Sequence, residues 1–216
     1  MHPGEIGTVL NIRSDGAQGA ETALRSCRMS DGSVMRYRDL GAGPVLLLVH
    51  GWAASGDFFE SVADQLAAGF RVVIPALRAH GATPAGEGPL DIDLLANDLQ
   101  TLIDTLELNA ITALGWSMGA TVLWRLIARM GHTRFAGLII EDMSPRIINT
   151  EGWALGMATG MDSAGSGRAV EAMRHDWPAY AAAFAPNMFA RGRAAREPAM
   201  IADIVARLSR RDGDAM

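Results

Sequence analysis

Ala110-Ile111-Thr112-Ala113-Leu114 runs directly into Gly115-Trp116-Ser117-Met118-Gly119, and from Met118 to Met130 the apolar residues recur at helical spacing. The first five residues read as a strand and the last stretch as a helix. The pentapeptide G-x-S-x-G therefore sits on a strand-to-helix junction. Alone that pattern is common; on such a junction it describes a sharp turn that lifts the serine hydroxyl above the sheet, with small residues two before and two after it to spare neighbouring backbone. The N-terminus of the helix behind it favours negative charge that develops there. Ser117 is thus the candidate nucleophile, and Gly115 and Gly119 are the glycines of its elbow.

Working outward, the same alternation recurs. Val45-Leu46-Leu47-Leu48-Val49 is apolar throughout and too short for a helix, which suits a strand covered on both faces. Phe58 to Ala68 has helical spacing, Phe70 to Pro75 reads as a strand, and Ile92, Leu95, Leu99, Leu102, Ile103 and Leu106 make one helical face. Phe135 to Ile140 is a further strand. Strands and helices in this rhythm predict an α/β fold: a doubly wound, mostly parallel sheet with helices on both faces. Ser26 to Asp39 reads as an antiparallel hairpin around Asp31-Gly32. After Pro145 the strands stop and two helical stretches are expected, one carrying Val170, Met173 and Trp177, the other Ile201, Ile204, Val205 and Leu208. The expected organisation is a lead-in over residues 1–25, a core over 26–146 and a helical lid region over 147–216.

A second motif lies at the carboxyl end of the Val45–Val49 strand, on the side of the sheet where Ser117 emerges. There His50-Gly51-Trp52 begins a loop in which Gly51 lets backbone approach a ligand. Acyl transfer needs two N–H donors aimed at the developing oxyanion. The candidates are the backbone N–H groups of Trp52 and of Met118, the residue after the nucleophile. His50 is read as a structural hydrogen-bonder that holds this loop.

These segments, Val45 to Trp52, Ala76-Leu77-Arg78-Ala79-His80-Gly81 and Gly115 to Gly119, resemble the α/β-hydrolase superfamily in order and spacing from about Ser26 to Pro145. Within it, the Gly-Trp-Ser-Met-Gly elbow with His-Gly-Trp is similar to small carboxylesterases, the pimeloyl-carrier-protein methyl ester esterases among them, and to cofactor-free haloperoxidase-type hydrolases. The resemblance implies a hydrolase of carboxylic esters without a cofactor. Two departures stand out. The family's Asp-x-x-Gly-x-Gly is replaced by Ala76 to Gly81, without the Asp and the first Gly, which predicts a changed loop. The family also follows its serine with an acid and then a histidine, and here only His132 and His175 follow Ser117. His132 belongs to the far end of the elbow helix, and His175 to the lid. Asp142, beside Glu141 at the end of the Phe135–Ile140 strand, is the candidate acid. The resemblance thus implies a C-terminally incomplete hydrolase whose catalysis is impaired for want of the histidine; the alternative is a non-catalytic small-ligand-binding or scaffold protein on the same fold.

Composition bounds the rest. Of 216 residues, 49% are hydrophobic and 20% charged, which excludes wholesale disorder. The net charge is −5, every basic residue is arginine, and the arginines near the end are interleaved with Glu197, Asp203, Asp212 and Asp214, so no nucleic acid partner is expected. No membrane span is expected, because the apolar run at Val45 is far short of about 18 residues. The single cysteine, Cys27, offers no disulfide within the chain and no metal cluster, so no metal is expected. A cytoplasmic protein acting on a small-molecule ester is expected, with an open sheet edge at Phe135–Ile140 available for self-association.

Overall fold

The computed structural model describes residues 24–157, 162–189 and 192–209. Its strands are β1 (Arg25–Arg28), β2 (Val34–Leu40), β3 (Val45–Val49), β4 (Arg71–Pro75), β5 (Ile111–Trp116) and β6 (Phe135–Glu141). Its helices are α1 (Glu60–Ala67), α2 (Ile92–Thr105), α3 (Met118–Met130), α4 (Ser163–His175), α5 (Trp177–Phe184), α6 (Arg193–Arg196) and α7 (Pro198–Ser209). The expected lead-in lies outside the described residues up to residue 23, and β1 begins at Arg25.

The six strands form one mixed sheet in the order β1-β2-β4-β3-β5-β6. β3 to β6 are mutually parallel, and β1 and β2 extend the β4 side in antiparallel fashion. The apolar run of β3 splits by parity, as a strand buried on both faces must. Leu47 and Val49 enter a core with α2 and α3, while Leu46 and Leu48 enter a second core with Phe59, Ala63 and Leu66 on the α1 side. β5 divides likewise: Ile111 and Ala113 face α2 and α3, Leu114 and Trp116 the other side.

From β3 the chain moves through α1 to β4, and from β5 through α3 to β6, in opposite directions along the sheet. Adjacent strands β3 and β5 therefore flank the point where strand order reverses, and the crevice at their carboxyl ends is where open α/β sheets bind ligands. The His50 loop and Ser117 both leave the sheet there.

The lid region differs from the expected pair of helices. Val170, Met173 and Trp177 do not share one helix, because Asp176 breaks it: its extended backbone ends α4, and its carboxylate accepts the Ala179 N–H at 2.9 Å to cap α5. Val170 is exposed, and Trp177 is buried at the start of the next helix. Among the described residues no helix is long and apolar enough to cross a membrane, and no group of three or more His, Cys, Asp or Glu side chains is arranged to hold a metal ion.

Candidate active site

Ser117 has φ 50° and ψ −120°, in the region that non-glycine residues avoid. Its neighbours hold it there. Its N–H donates to the Glu141 carbonyl at 2.9 Å, and its own carbonyl accepts the Ala120 N–H at 2.9 Å as α3 begins. The elbow glycines are sterically required. A Cβ on Gly119 would lie 2.3 Å from the Val49 carbonyl oxygen, and one on Gly115 would lie 2.6 Å from the Ala120 backbone nitrogen. With neither glycine widened, α3 can start directly against β3.

The β3 loop passes in contact with the serine. A Cβ on Gly51 would be 3.1 Å from Ser117 Cβ and 3.2 Å from the Trp116 carbonyl oxygen. Gly51, Trp52, Ser117 and Met118 therefore gather at the carboxyl ends of β3 and β5. His50, fully buried, accepts the Leu77 N–H on Nε2 at 3.1 Å and lies 2.9 Å from the Gly51 carbonyl through Nδ1. The first bond requires a bare Nε2 and so places the proton on Nδ1, from which it is donated to Gly51. One imidazole thus ties the β3 loop to the β4 loop.

The β4 loop carries two consecutive tight bends across its altered sequence. Ala79 takes φ 61° and Gly81 φ 58°, so an alanine holds a left-handed conformation that glycine would adopt without cost. Arg78, also buried, reaches Asp98 on α2 with Nη2 to Oδ1 at 3.0 Å and Asp31 in the hairpin turn with Nη1 to Oδ2 at 2.8 Å. These bonds raise the guanidinium pKa above its ordinary value, while Arg78 and Ser33 hold the Asp31 carboxyl well below the usual range. Burial pushes Asp98 up, against the pull of Arg78. The His80 ring lies tilted beside that of His50, with centroids 5.2 Å apart, and its Nδ1 lies 2.6 Å from the Arg78 carbonyl.

The remaining candidates are spread out. Asp142 follows β6 at the carboxyl edge, exposed and at φ 50°; the contact with Ser117 comes from the backbone of its neighbour Glu141. His132 is exposed beyond Gly131, which ends α3, whereas Ser117 precedes the helix; thirteen residues at 1.5 Å each separate the two by about 20 Å. His175 is exposed at the end of α4. Cys27 is buried, with Sγ 3.5 Å from Thr105 Oγ1.

Sequence reasoning missed an aromatic cluster. The Trp52 ring meets Trp177, Tyr180 and Phe184 edge-on, at centroid distances of 5.6, 6.3 and 5.6 Å. The signal was present as aromatics at i, i+3 and i+7 from Trp177, one face of a helix. Burial pushes the Tyr180 hydroxyl pKa up. Beside the elbow, on the α1 face, a cleft of about 340 Å³ is lined by Phe58, Val62, Leu114, Trp116, Glu141 and Met188, among others.

A family model described as the α/β hydrolase fold matches residues 44–195. The chain is 33% identical over 127 residues to a non-heme chloroperoxidase of Kitasatospora aureofaciens, covering 56% of this chain and 45% of that protein. It is 35% identical over 114 residues to the pimeloyl-[acyl-carrier protein] methyl ester esterase of Chromobacterium violaceum, covering 53% and 42%. It spans about half the length of the curated relatives it matches. Among solved structures, bromoperoxidase from Bacillus anthracis superposes with a TM-score of 0.79 at 22% identity over 89% of this chain and 71% of that one. An esterase from Exiguobacterium antarcticum gives 0.77 at 21% over 88% and 69%. At those identities the superpositions establish the fold alone.

Proposed function

The chain belongs to the α/β-hydrolase fold family, and on that premise we propose that it is a serine hydrolase of small-molecule carboxylic esters acting through an acyl-enzyme on Ser117. The observation that carries this reading is the backbone of Ser117, strained at φ 50° on a strand-to-helix turn and touching the β3 loop at the point where strand order reverses. Strain of this kind costs on the order of 1–3 kcal/mol and clusters at active sites.

In the reaction the Ser117 hydroxyl oxygen attacks the ester carbonyl carbon and loses its proton to a base. The carbonyl oxygen becomes an oxyanion held by the backbone N–H groups of Trp52 and Met118; its collapse breaks the ester C–O bond as the base returns the proton to the leaving alcohol, and water then hydrolyses the acyl-serine. Each such donor is worth about 2.7–4 kcal/mol in the transition state. An ester substrate is favoured by the esterase among the relatives. Asp142, at the carboxyl edge of the sheet, is the candidate acid. Within these 216 residues no histidine follows His175, and His50 is engaged with backbone through both ring nitrogens. Catalysis by these 216 residues on their own is therefore proposed to be impaired, near the ~10³–10⁴-fold over water that remains when a triad member is lost.

The placement of His50 also favours a second reading, a non-catalytic small-ligand-binding protein on the same fold. Prolonged exposure to a fluorophosphonate followed by peptide mass spectrometry separates the two. The expected result is one slow adduct, on Ser117, absent from Ser117→Ala. An adduct on another serine with Ser117 untouched overturns the hydrolase assignment, and no adduct at all favours the binding protein.

A further inference from the structure

We infer that Trp177, Tyr180 and Phe184 of the lid are positioning residues: through the Trp52 ring they hold the turn that carries the Trp52 amide, so that lid docking and an intact oxyanion site are one state. The inference rests on the reading of Trp52 as an oxyanion donor.

It starts from a conformational problem. Residues 51–54 form a tight turn, closed by the Ala54 N–H donating to the Gly51 carbonyl at 3.3 Å, and Ala53 within it takes φ 59°. A left-handed alanine is disfavoured by its own Cβ, and a loop free to do so would relax to an ordinary turn. A relaxed turn would rotate the peptide planes on either side, that of Trp52 included.

What prevents relaxation is packing from the lid. Ala53 is fully buried in a cluster with Trp177, Ala181, Ala185 and Leu208. The Trp52 ring is held edge-on by three rings from one face of α5, the geometry that aromatic quadrupoles favour. These rings are themselves fixed. Trp177 Nε1–H donates to the Leu208 carbonyl on α7 at 2.9 Å, and Asp176 caps the start of α5. A separate tether ties α7 to the same loop: Arg207 Nη1 lies 3.4 Å from Asp57 Oδ2 in the 3-10 turn that follows it. The lid thus grips the β3 loop at residues 52, 53 and 57, next to its contact with Ser117 at Gly51.

If these rings served only as the lid's own core, removing one would loosen α5 and α7 and leave the loop unchanged. Hydrogen–deuterium exchange on the full chain distinguishes the cases without requiring turnover. In Trp177→Ala the peptide covering residues 50–57 is expected to exchange at least tenfold faster, with peptides from α2 and α3 within twofold of the parent, and Trp177→Phe is expected to restore protection. Fluorophosphonate modification of Ser117 should slow at least tenfold in Trp177→Ala, in its maximal rate rather than its half-saturating concentration, and recover in Trp177→Phe. Unchanged exchange at residues 50–57 overturns the inference whatever the labelling shows. Absence of labelling in the parent chain counts against the serine hydrolase reading alone, leaving the exchange comparison to decide this one. Should Trp177→Ala fail to fold, Phe184→Ala, which removes a different ring from Trp52, is judged by the same exchange criterion.

Discussion

At the scale of single residues, Ser117 sets conformation against stability. Its φ of 50° and ψ of −120° are held by the Glu141 and Ala120 backbone bonds rather than chosen by the serine itself. Such a conformation costs a non-glycine residue about 1–3 kcal/mol, whereas glycine avoids that strain at about 0.5–1 kcal/mol of lost backbone freedom. Relief outweighs the entropy. Ser117→Gly is therefore expected to be more stable than Ser117→Ala by about 1 kcal/mol, measured by reversible denaturant unfolding, while neither variant accepts a phosphonate. If the alanine variant proves equal or better, Ser117 is not strained and the observation beneath the proposed function is lost. His50 shows the opposite economy: its two backbone bonds give up proton-transfer capacity to lock two loops together.

At the scale of elements, one ion-pair network joins the β1–β2 turn, the β4 loop and α2. Arg78 and Asp98 are both buried, so removing Asp98 strands a guanidinium in the interior with Asp31 as its one remaining carboxylate partner among the described residues. Breaking a buried pair from one side costs about 3–5 kcal/mol, and Asp98→Ala should lower Tm by roughly 6–20 °C at about 2–4 °C per kcal/mol for a chain of this size. Asp31 is exposed, and Asp31→Ala should cost far less; equal losses would show that the buried pair is not what anchors the loop. The Asp31 carboxyl is lowered in the folded state, so its contribution is fully present above the ordinary carboxylate pKa and is lost progressively as the pH falls below it toward the lowered folded value. Elements of this kind were legible where periodicity speaks for itself. The run at Val45–Val49, the face of α2 and the Met118–Met130 helix follow from apolar spacing, because each is buried against a sheet of regular geometry. The lid was legible only as helical. Its break at Asp176 depends on one capping side chain, and the clamp on Trp52 on how α5 docks, which no local pattern encodes. The site divides the same way: the elbow and the β3 loop are local motifs beside the strands that carry them, while a base would have to come from a distant part of the chain.

At the scale of the whole molecule, the surface is uneven. Among the described residues β6 is hydrogen-bonded on one side only, to β5. Leu138 and Ile139 on that strand are exposed, 48% in the case of Ile139, and Ile147, Leu155 and Met157 add exposed apolar surface in the segment that follows. An open edge flanked by apolar side chains is a template for another strand, and a second copy of the chain offers the same edge. An antiparallel pair of β6 strands centred on Leu138 sets Phe135 of one chain opposite Glu141 of the other, with Gly137 opposite Ile139 between them. The 216-residue chain is accordingly expected to sediment as a dimer, and Ile139→Lys, which puts a charge on the exposed edge, to shift it to monomer, with Tm falling only by the concentration-dependent share that association contributes, since the side chain it replaces is half in water. A wild-type chain that remains monomeric throughout the concentration range of the sedimentation experiment, or a dimer indifferent to Ile139→Lys, would show that β6 is not the edge through which copies meet.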